Sequence, residues 1–243
     1  MIATKSHLSK YQAKRNFKVS PEPAGDEKSP PKKGKTLFFC VQKHLASHLH
    51  HDFRLEHAGV LLSWAIPKGP SLNPHDKRLA IQVEAHPYDY GTFEGVIPAG
   101  YGAGIVMLWD KGYWKPHGNV SEALKKGHLG FRVFGQKLKG EFAFQRFKNE
   151  ESSQWLLFKK TDEWSSDEDI LETKPLSVKS KADLDGILQK NFPDTWRKNP
   201  PALTGAFTQY FSDVLKPAQG AKKIAQKSPG KKSKTQKPAL AKR

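Results

Sequence analysis

Apolar residues in the middle of the chain recur in short runs or on alternate positions, and Gly, Pro, Asn and Asp separate the runs. Eight such segments stand out, at 37–41, 49–56, 60–66, 78–86, 105–109, 129–134, 137–147 and 154–160. Breaks such as His57-Ala58-Gly59 have the composition of hairpin turns. Helical periodicity is scarce. One helix is expected at 120–126, where Ser121 can cap, and another at 182–189. Many short strands with few helices between them argue for a mainly β fold, a barrel or a sandwich.

Length and charge refine this picture. The 243 residues can bury a real core, and hydrophobic residues at 37% are lean but sufficient for one. The formal charge is +17, yet residues 214–243 hold ten basic and no acidic residues, and residues 1–36 hold nine basic and three acidic. The stretch between them carries 22 basic against 21 acidic residues, so the two ends hold almost all of the excess. Three parts are therefore expected: a basic arm and linker at 1–36, a folded domain at 37–190, and a tail at 191–243. The tail is Pro-rich, with an aromatic cluster (Phe207, Tyr210, Phe211), then Lys-rich, and has too few apolar residues to pack. Such a tail either keeps the protein soluble or neutralises nucleic-acid phosphates without reading sequence. The apolar stretch at 59–67 is too short to span a bilayer, and the first residues lack the apolar run of a secretory signal. A lone cysteine, Cys40, excludes an intramolecular disulfide and a cysteine zinc cluster. A cytoplasmic protein without membrane association is expected.

The chemistry concentrates in one segment, Gln42-Lys-His-Leu-Ala-Ser-His-Leu-His-His-Asp-Phe-Arg-Leu-Glu56. On a strand, residues two apart share a face, which puts His50, Asp52, Arg54 and Glu56 together and leaves His51, Phe53 and Leu55 opposite. His50 and Asp52, with His44 six residues upstream, can offer two imidazoles and a carboxylate to one metal ion. Nitrogen and oxygen donors without thiolate suit Mn²⁺, Fe²⁺ or Zn²⁺. The plainer explanation is a solvated strand face with salt bridges. Arg54 tips the balance, because a guanidinium beside a metal implies an anion between them, and its fork fits phosphate.

A second strand carries Arg78, Ala80, Gln82, Glu84 and His86 on one face and Leu79, Ile81, Val83 and Ala85 on the other. His86 stands at its end, followed by Pro87 and then Tyr90. A histidine at a strand end is usually structural, but beside a metal and a phosphate it can bind a phosphoryl oxygen or protonate a leaving oxygen. Lys68, in a Pro-Lys-Gly-Pro turn, is a further candidate phosphate contact. Gly100-Tyr-Gly-Ala-Gly104 lacks the Walker lysine and serine and precedes a strand, so it reads as a turn.

Six strings, taken together and in order, resemble the 3′-phosphoesterase domain of bacterial DNA ligase D. They are Gln-Lys-His44, Leu-His50-His-Asp52-Phe-Arg54-Leu-Glu, Ser-Trp-Ala-Ile-Pro-Lys68-Gly-Pro-Ser, Lys-Arg78-Leu-Ala, Val-Glu84-Ala-His86-Pro-Tyr-Asp-Tyr90 and Phe-Glu-Gly-Val-Ile-Pro. The similarity runs from about residue 11 to about residue 188. It implies a compact antiparallel β-barrel of about eight strands, a few short flanking helices and a groove-shaped active site. It also implies a Mn²⁺-dependent activity, with Co²⁺ or Zn²⁺ as possible substitutes, that removes 3′-terminal phosphates and ribonucleotides during end joining. Carried over by position, His44, His50 and Asp52 match metal ligands, while Arg54, His86 and Tyr90 match phosphate-contacting catalytic residues. Glu84, Lys68 and Arg78 match positions of secondary importance. In the arm, Arg15 and Glu22 also match, and Asn16 stands where the family has an acidic residue tied to ribonucleotide removal. The loop ending at Gly104 is one residue shorter than in the family.

The ligase motif Lys-x-Asp-Gly is absent, since Lys181-Ala-Asp-Leu-Asp-Gly186 has the wrong spacing. The expected partners are DNA 3′ ends, with separately encoded ligase and polymerase, in the cytoplasm or on the nucleoid; a monomer is expected. Two other classes fit some of the same residues. His-x-Asp plus a distant His is also the facial triad of iron oxygenases, and basic tails with exposed aromatics suit a non-catalytic nucleic-acid-binding module.

Overall fold

The computed structural model describes residues 3–25, 36–147, 149 and 152–193. Nine strands form one antiparallel sheet: β1 (Leu37–Leu45), β2 (Leu49–His57), β3 (Val60–Ile66), β4 (Arg78–Pro87), β5 (Gly95–Ile97), β6 (Gly104–Pro116), β7 (His128–Gly135), β8 (Lys139–Arg146) and β9 (Gln154–Lys159). The order β1-β2-β3-β4-β9-β8-β7-β6 closes where β6 pairs back onto β1, making an eight-stranded barrel. Closure removes the open edges that a sheet of this length would otherwise expose. The short β5 lies along the first residues of β6.

Helices are few and short. α1 (Ala3–Ala13) packs on β4, α2 (Val120–Lys126) leads into β7, and α3 (Ile170–Thr173) and α4 (Leu184–Lys190) follow the barrel. Among the described residues, no helix is long and apolar enough to cross a membrane. The cap of α2 is Asn119, whose Oδ1 accepts the Glu122 N–H at 3.1 Å, rather than Ser121. A Ser121 cap would waste the better acceptor two residues earlier.

The eight expected strands all appear, with altered ends that have physical reasons. β6 continues past residue 109 to Pro116 because Asp110, which ends the apolar run in the sequence, is buried. Its carboxylate accepts the backbone N–H groups of Gln136, Lys137 and Leu138 at 2.9, 3.1 and 2.8 Å. Those N–H groups cannot also join a ladder, so β8 starts at Lys139 and not at 137. β5 and α1 escape the sequence pattern: one is three residues long, and the other has no apolar stripe. The aromatic cluster at 207–211 and the basic tail lie outside the described residues.

Inside the barrel, Phe53, Trp64, Phe131, Phe142, Phe144 and Trp155 are buried together. Trp64 stacks on Phe144 with centroids 4.3 Å apart and meets Trp155 edge-on at 6.0 Å. Aromatic pairs in these geometries add to the area they bury. Trp64→Ala is expected to lower stability by about 3–5 kcal/mol, read from urea unfolding. A loss under about 1 kcal/mol would mean that Trp64 is not part of the packed centre.

Candidate active site

The site lies on the outer wall of the barrel, where β1, β2, β3 and β4 run side by side. The β1–β2 hairpin register sets Gln42 opposite Asp52, and His44 directly opposite His50. The six-residue spacing of the two histidines is therefore a cross-strand pair, with ring centroids 4.9 Å apart. Phe39, Val41, Phe53 and Leu55 turn into the core, leaving Gln42, His44, Asp52 and Arg54 outward. This outward face is no solvated strand face, since all four are buried. The N-terminal arm and the single helical turn at Tyr88–Thr92 cover it.

Hydrogen bonds to carbonyls fix the imidazoles. A carbonyl only accepts, so the ring nitrogen facing it must carry the proton. His44 Nε2–H donates to Gly102 O at 2.9 Å, and His50 Nδ1–H donates to His48 O at 2.9 Å. Their other nitrogens, His44 Nδ1 and His50 Nε2, each lie 3.7 Å from Asp52 Oδ2. One donor atom from each of the three residues lies within 4.8 Å of the other two. Burial pushes the Asp52 carboxyl up, but Arg54 and the two imidazoles outweigh it and hold it well below the ordinary carboxylate range. Burial also lowers His50 below the usual histidine value. Two lone pairs and an ionised carboxylate thus converge with orienting partners behind the rings, which fits a divalent cation with nitrogen and oxygen ligands.

Arg54 is anchored beside this cluster. Its Nε donates to Gln42 Oε1 at 2.7 Å, Nη1 to Ser63 Oγ at 2.8 Å, and Nη2 to Asp52 Oδ2 at 3.0 Å. Gln42 is itself tied to the carbonyls of Tyr90 and Phe93 at 3.0 and 2.9 Å. The guanidinium lies 4.8 Å from the centre of the Tyr90 ring. Three of its five N–H groups hold it in place, and among the described residues its buried charge pairs with one carboxylate, that of Asp52.

His86 reaches the same wall through a β-bulge. Leu61 pairs with His86 and Ser63 with Val83, so Leu62 faces two residues of β4. Before the bulge, Ala80 is in the core and Gln82 accepts the Trp155 Nε1–H at 3.0 Å, so that face turns inward. The strict alternation expected for residues 78–86 therefore breaks, and the bulge turns His86 out toward the site. His86 Nδ1–H donates to Glu84 O at 2.9 Å, leaving Nε2 to accept from Arg15 Nη2 at 3.2 Å. Burial, then Arg54 and Arg15, hold His86 well below its usual value. Burial likewise keeps the Tyr90 hydroxyl well above its own, hence protonated.

The arm completes the wall. Arg15 donates to Glu22 at 2.9 Å and Glu84 at 3.4 Å, and stacks over Tyr11 at 3.8 Å. Tyr11, fully buried, lies 4.9 Å from the His86 ring. Asn16 is exposed and accepts the Lys18 N–H in a local turn, away from the cavity lining. The cavity holds about 340 Å³ and is lined by His44, His50, Asp52, Arg54, Glu84, His86, Tyr90, Arg15 and Glu22 among others. Lys68 and Arg78 are not brought to it: Lys68 is exposed on its turn, and Arg78 pairs with Asp76 at 2.8 Å. Sequence reasoning passes over Gln42, Ser63 and Tyr11 as positioning groups. Gln42 alone left a signal, as a polar residue on the strand face of His44, two positions away.

Barrel and site together set a group of His and Asp donors that could hold a metal ion beside the guanidinium groups of Arg54 and Arg15 in one cavity. Comparison with known proteins narrows the class. The sequence profile described as "DNA Ligase D 3'-phosphoesterase domain" matches residues 42–146. The "Multifunctional non-homologous end joining protein LigD" of Pseudomonas aeruginosa is 50% identical over 184 residues, covering 73% of this chain and 22% of the relative. The "Multifunctional non-homologous end joining DNA repair protein LigD" of Mycobacterium tuberculosis is 39% identical over 140 residues, covering 57% and 18%. The Mycolicibacterium smegmatis protein is 36% identical over 163 residues, covering 64% and 21%. The chain belongs to the DNA ligase D 3′-phosphoesterase family, and its matched region spans about a fifth of the length of these relatives.

Buried neutral histidines also set a pH dependence. His51, on the inner side of β2 against Trp109, has no hydrogen-bond partner at either ring nitrogen among the described residues, and burial drops it to about 3. His50 and His86 are lowered too. An unfolded histidine titrates near 6.5, so below that pH the unfolded chain binds protons that the folded one refuses, and stability falls with pH. Without added metal, the unfolding free energy is expected to drop by at least about 1 kcal/mol per pH unit between pH 6.5 and 5. His51→Leu should make the drop shallower. A stability that stays flat over this range would contradict the buried neutral assignment.

Proposed function

We propose that the chain is a metal-dependent phosphoesterase that heals DNA 3′ ends, removing terminal phosphates and terminal ribonucleotides in double-strand-break repair by end joining. The observation that carries this reading is the shared Asp52 Oδ2, facing two imidazole nitrogens on one side and the Arg54 guanidinium on the other. Family membership and the names of the relatives support DNA ends in end joining as the substrate; separately encoded ligase and polymerase partners belong to the same proposal.

A divalent cation held by His44 Nδ1, His50 Nε2 and Asp52, Mn²⁺ with Co²⁺ or Zn²⁺ as substitutes, would supply Lewis-acid polarisation of a phosphoryl oxygen. The chain's own groups do the rest. Arg54 has two N–H groups beyond its three anchors to offer the phosphate, already oriented by Gln42 and Ser63. Tyr90 retains its proton and can donate to a second oxygen. His86 Nε2 carries no proton in the resting site, so its first act toward an incoming phosphate or water is to accept one. A dianion beside it raises its basicity, after which it can pass that proton to the leaving 3′-oxygen. Arg15 and Glu22 bring the arm to the cavity wall, and in this reading they serve the terminal ribonucleotide, whose 2′-OH marks such an end. Because Asn16 faces away, loss of its charge is compatible with ribonucleotide removal. A facial-triad oxygenase fits less well, since the chain matches the DNA ligase D 3′-phosphoesterase family.

The test uses two 5′-labelled primer–templates, one ending in a ribonucleotide and one in a 3′-phosphate, incubated with protein and Mn²⁺ and resolved on a denaturing gel. Both ends should be trimmed to a 3′-OH, EDTA should stop the reaction, and Asp52→Ala should abolish it with the fold intact. Arg54→Ala should cost about 10²–10³ in kcat. Undiminished turnover in EDTA or in Asp52→Ala would remove the metal assignment. No product from either end, with tight salt-sensitive binding, would favour a binding module.

A further inference from the structure

The phosphate-handling groups occupy the floor of the cavity, and one side chain at its mouth has no part in that chemistry. Tyr101 lines the cavity but is half exposed, at 51%, whereas the other tyrosine of the lining, Tyr90, is 2% exposed beneath Arg54. Tyr101 is thus the one solvent-exposed aromatic ring of the lining among the described residues. The remaining apolar lining is Ala46, Ala65, Val83 and Ile97, none of them planar.

The backbone presents this ring outward. Gly100 and Gly102 flank it at φ +87° and +78°, a region other residues rarely adopt, and Ala103 N–H closes the turn onto Gly100 O at 3.2 Å. A Cβ on Gly100 would meet nothing within 4 Å, so the turn is open beside the ring. Lys14 Nζ lies 4.6 Å and the Arg15 guanidinium 5.6 Å from the ring centre, so the arm's cations reach this ring. The same turn supplies Gly102 O to the His44 imidazole, at 2.9 Å. A planar ring therefore stands one residue from the carbonyl that orients a candidate metal ligand.

We propose that Tyr101 is the nucleobase platform of the site: the base of the nucleoside bearing the 3′-phosphate stacks on its ring while the phosphate lies at Arg54. The assignment rests on the phosphoesterase reading above. Every base has a π-face, so stacking adds affinity without reading sequence. It makes Tyr101 a substrate-binding residue that acts on KM, and it predicts that the protein prefers ends that carry a base.

The experiment compares two primer–templates ending in a 3′-phosphate, one with a normal terminal nucleotide and one with an abasic terminal sugar, on the full chain with Mn²⁺. The wild-type protein should show a KM about tenfold lower for the base-bearing end, with similar kcat. Tyr101→Leu should raise KM on the base-bearing end by about the same factor, leave the abasic end unchanged, and keep the wild-type melting temperature. Tyr101→Phe should behave as wild type. An equal effect of Tyr101→Leu on both ends, or none on either, overturns the platform while leaving the phosphoesterase standing. Wild-type protein inactive on both ends would instead sink the phosphoesterase reading, and the platform with it.

Discussion

Asp52 Oδ2 accepts the Arg54 guanidinium at 3.0 Å while facing one nitrogen of His44 and one of His50 at 3.7 Å, and Asp52 and Arg54 are almost wholly buried. Ionised groups this deep are costly unless paired and hydrogen-bonded. The rest of the site follows from meeting that requirement. Gln42 and Ser63 take two more guanidinium nitrogens, Gly102 and His48 carbonyls take one proton from each imidazole, and Tyr90 lies against the guanidinium. What remains uncompensated is directional: two lone pairs and a carboxylate converge at one point, and cationic N–H groups of Arg54 and Arg15 stand beside it.

The barrel provides this arrangement through three local devices. The β1–β2 register sets His44 across from His50, a β4 bulge turns His86 outward, and the arm with its buried Tyr11 closes the wall. Each of the three uses a strand face that a barrel would normally leave to water. Covering it excludes solvent from the charges and strengthens their fields.

Much of this was legible in the sequence, for identifiable reasons. Period-two alternation is a direct readout of a strand face, so His50, Asp52 and Arg54 could be grouped without coordinates. Strands such as β3 and β7 carry mainly apolar runs between turns, interrupted by Ser63 and by Arg132. The signal fails where a buried polar group imitates an ending, as Asp110 does in β6, or where a bulge changes parity, as between Val83 and His86. It also fails for α1, where Tyr11, the one buried residue among those described at 8–13, gives no period to detect. Lys68 and Arg78 stand outside the cavity lining, a placement their strings do not reveal. The placement of exposed Tyr101 in one cavity lining with a distant histidine pair leaves no local trace at all.

The central claim is that His44, His50 and Asp52 form one divalent-cation site whose charge balance depends on the Asp52 carboxylate. Its most direct test is a Mn²⁺ titration followed by the paramagnetic resonance of the free ion, run on the wild-type chain and on Asp52→Asn, with melting curves for both. One site per chain in the wild type, weakened by more than about a hundredfold in a folded Asp52→Asn protein, is the predicted result. Equal Mn²⁺ binding by the two proteins, or none by the wild type, would contradict it.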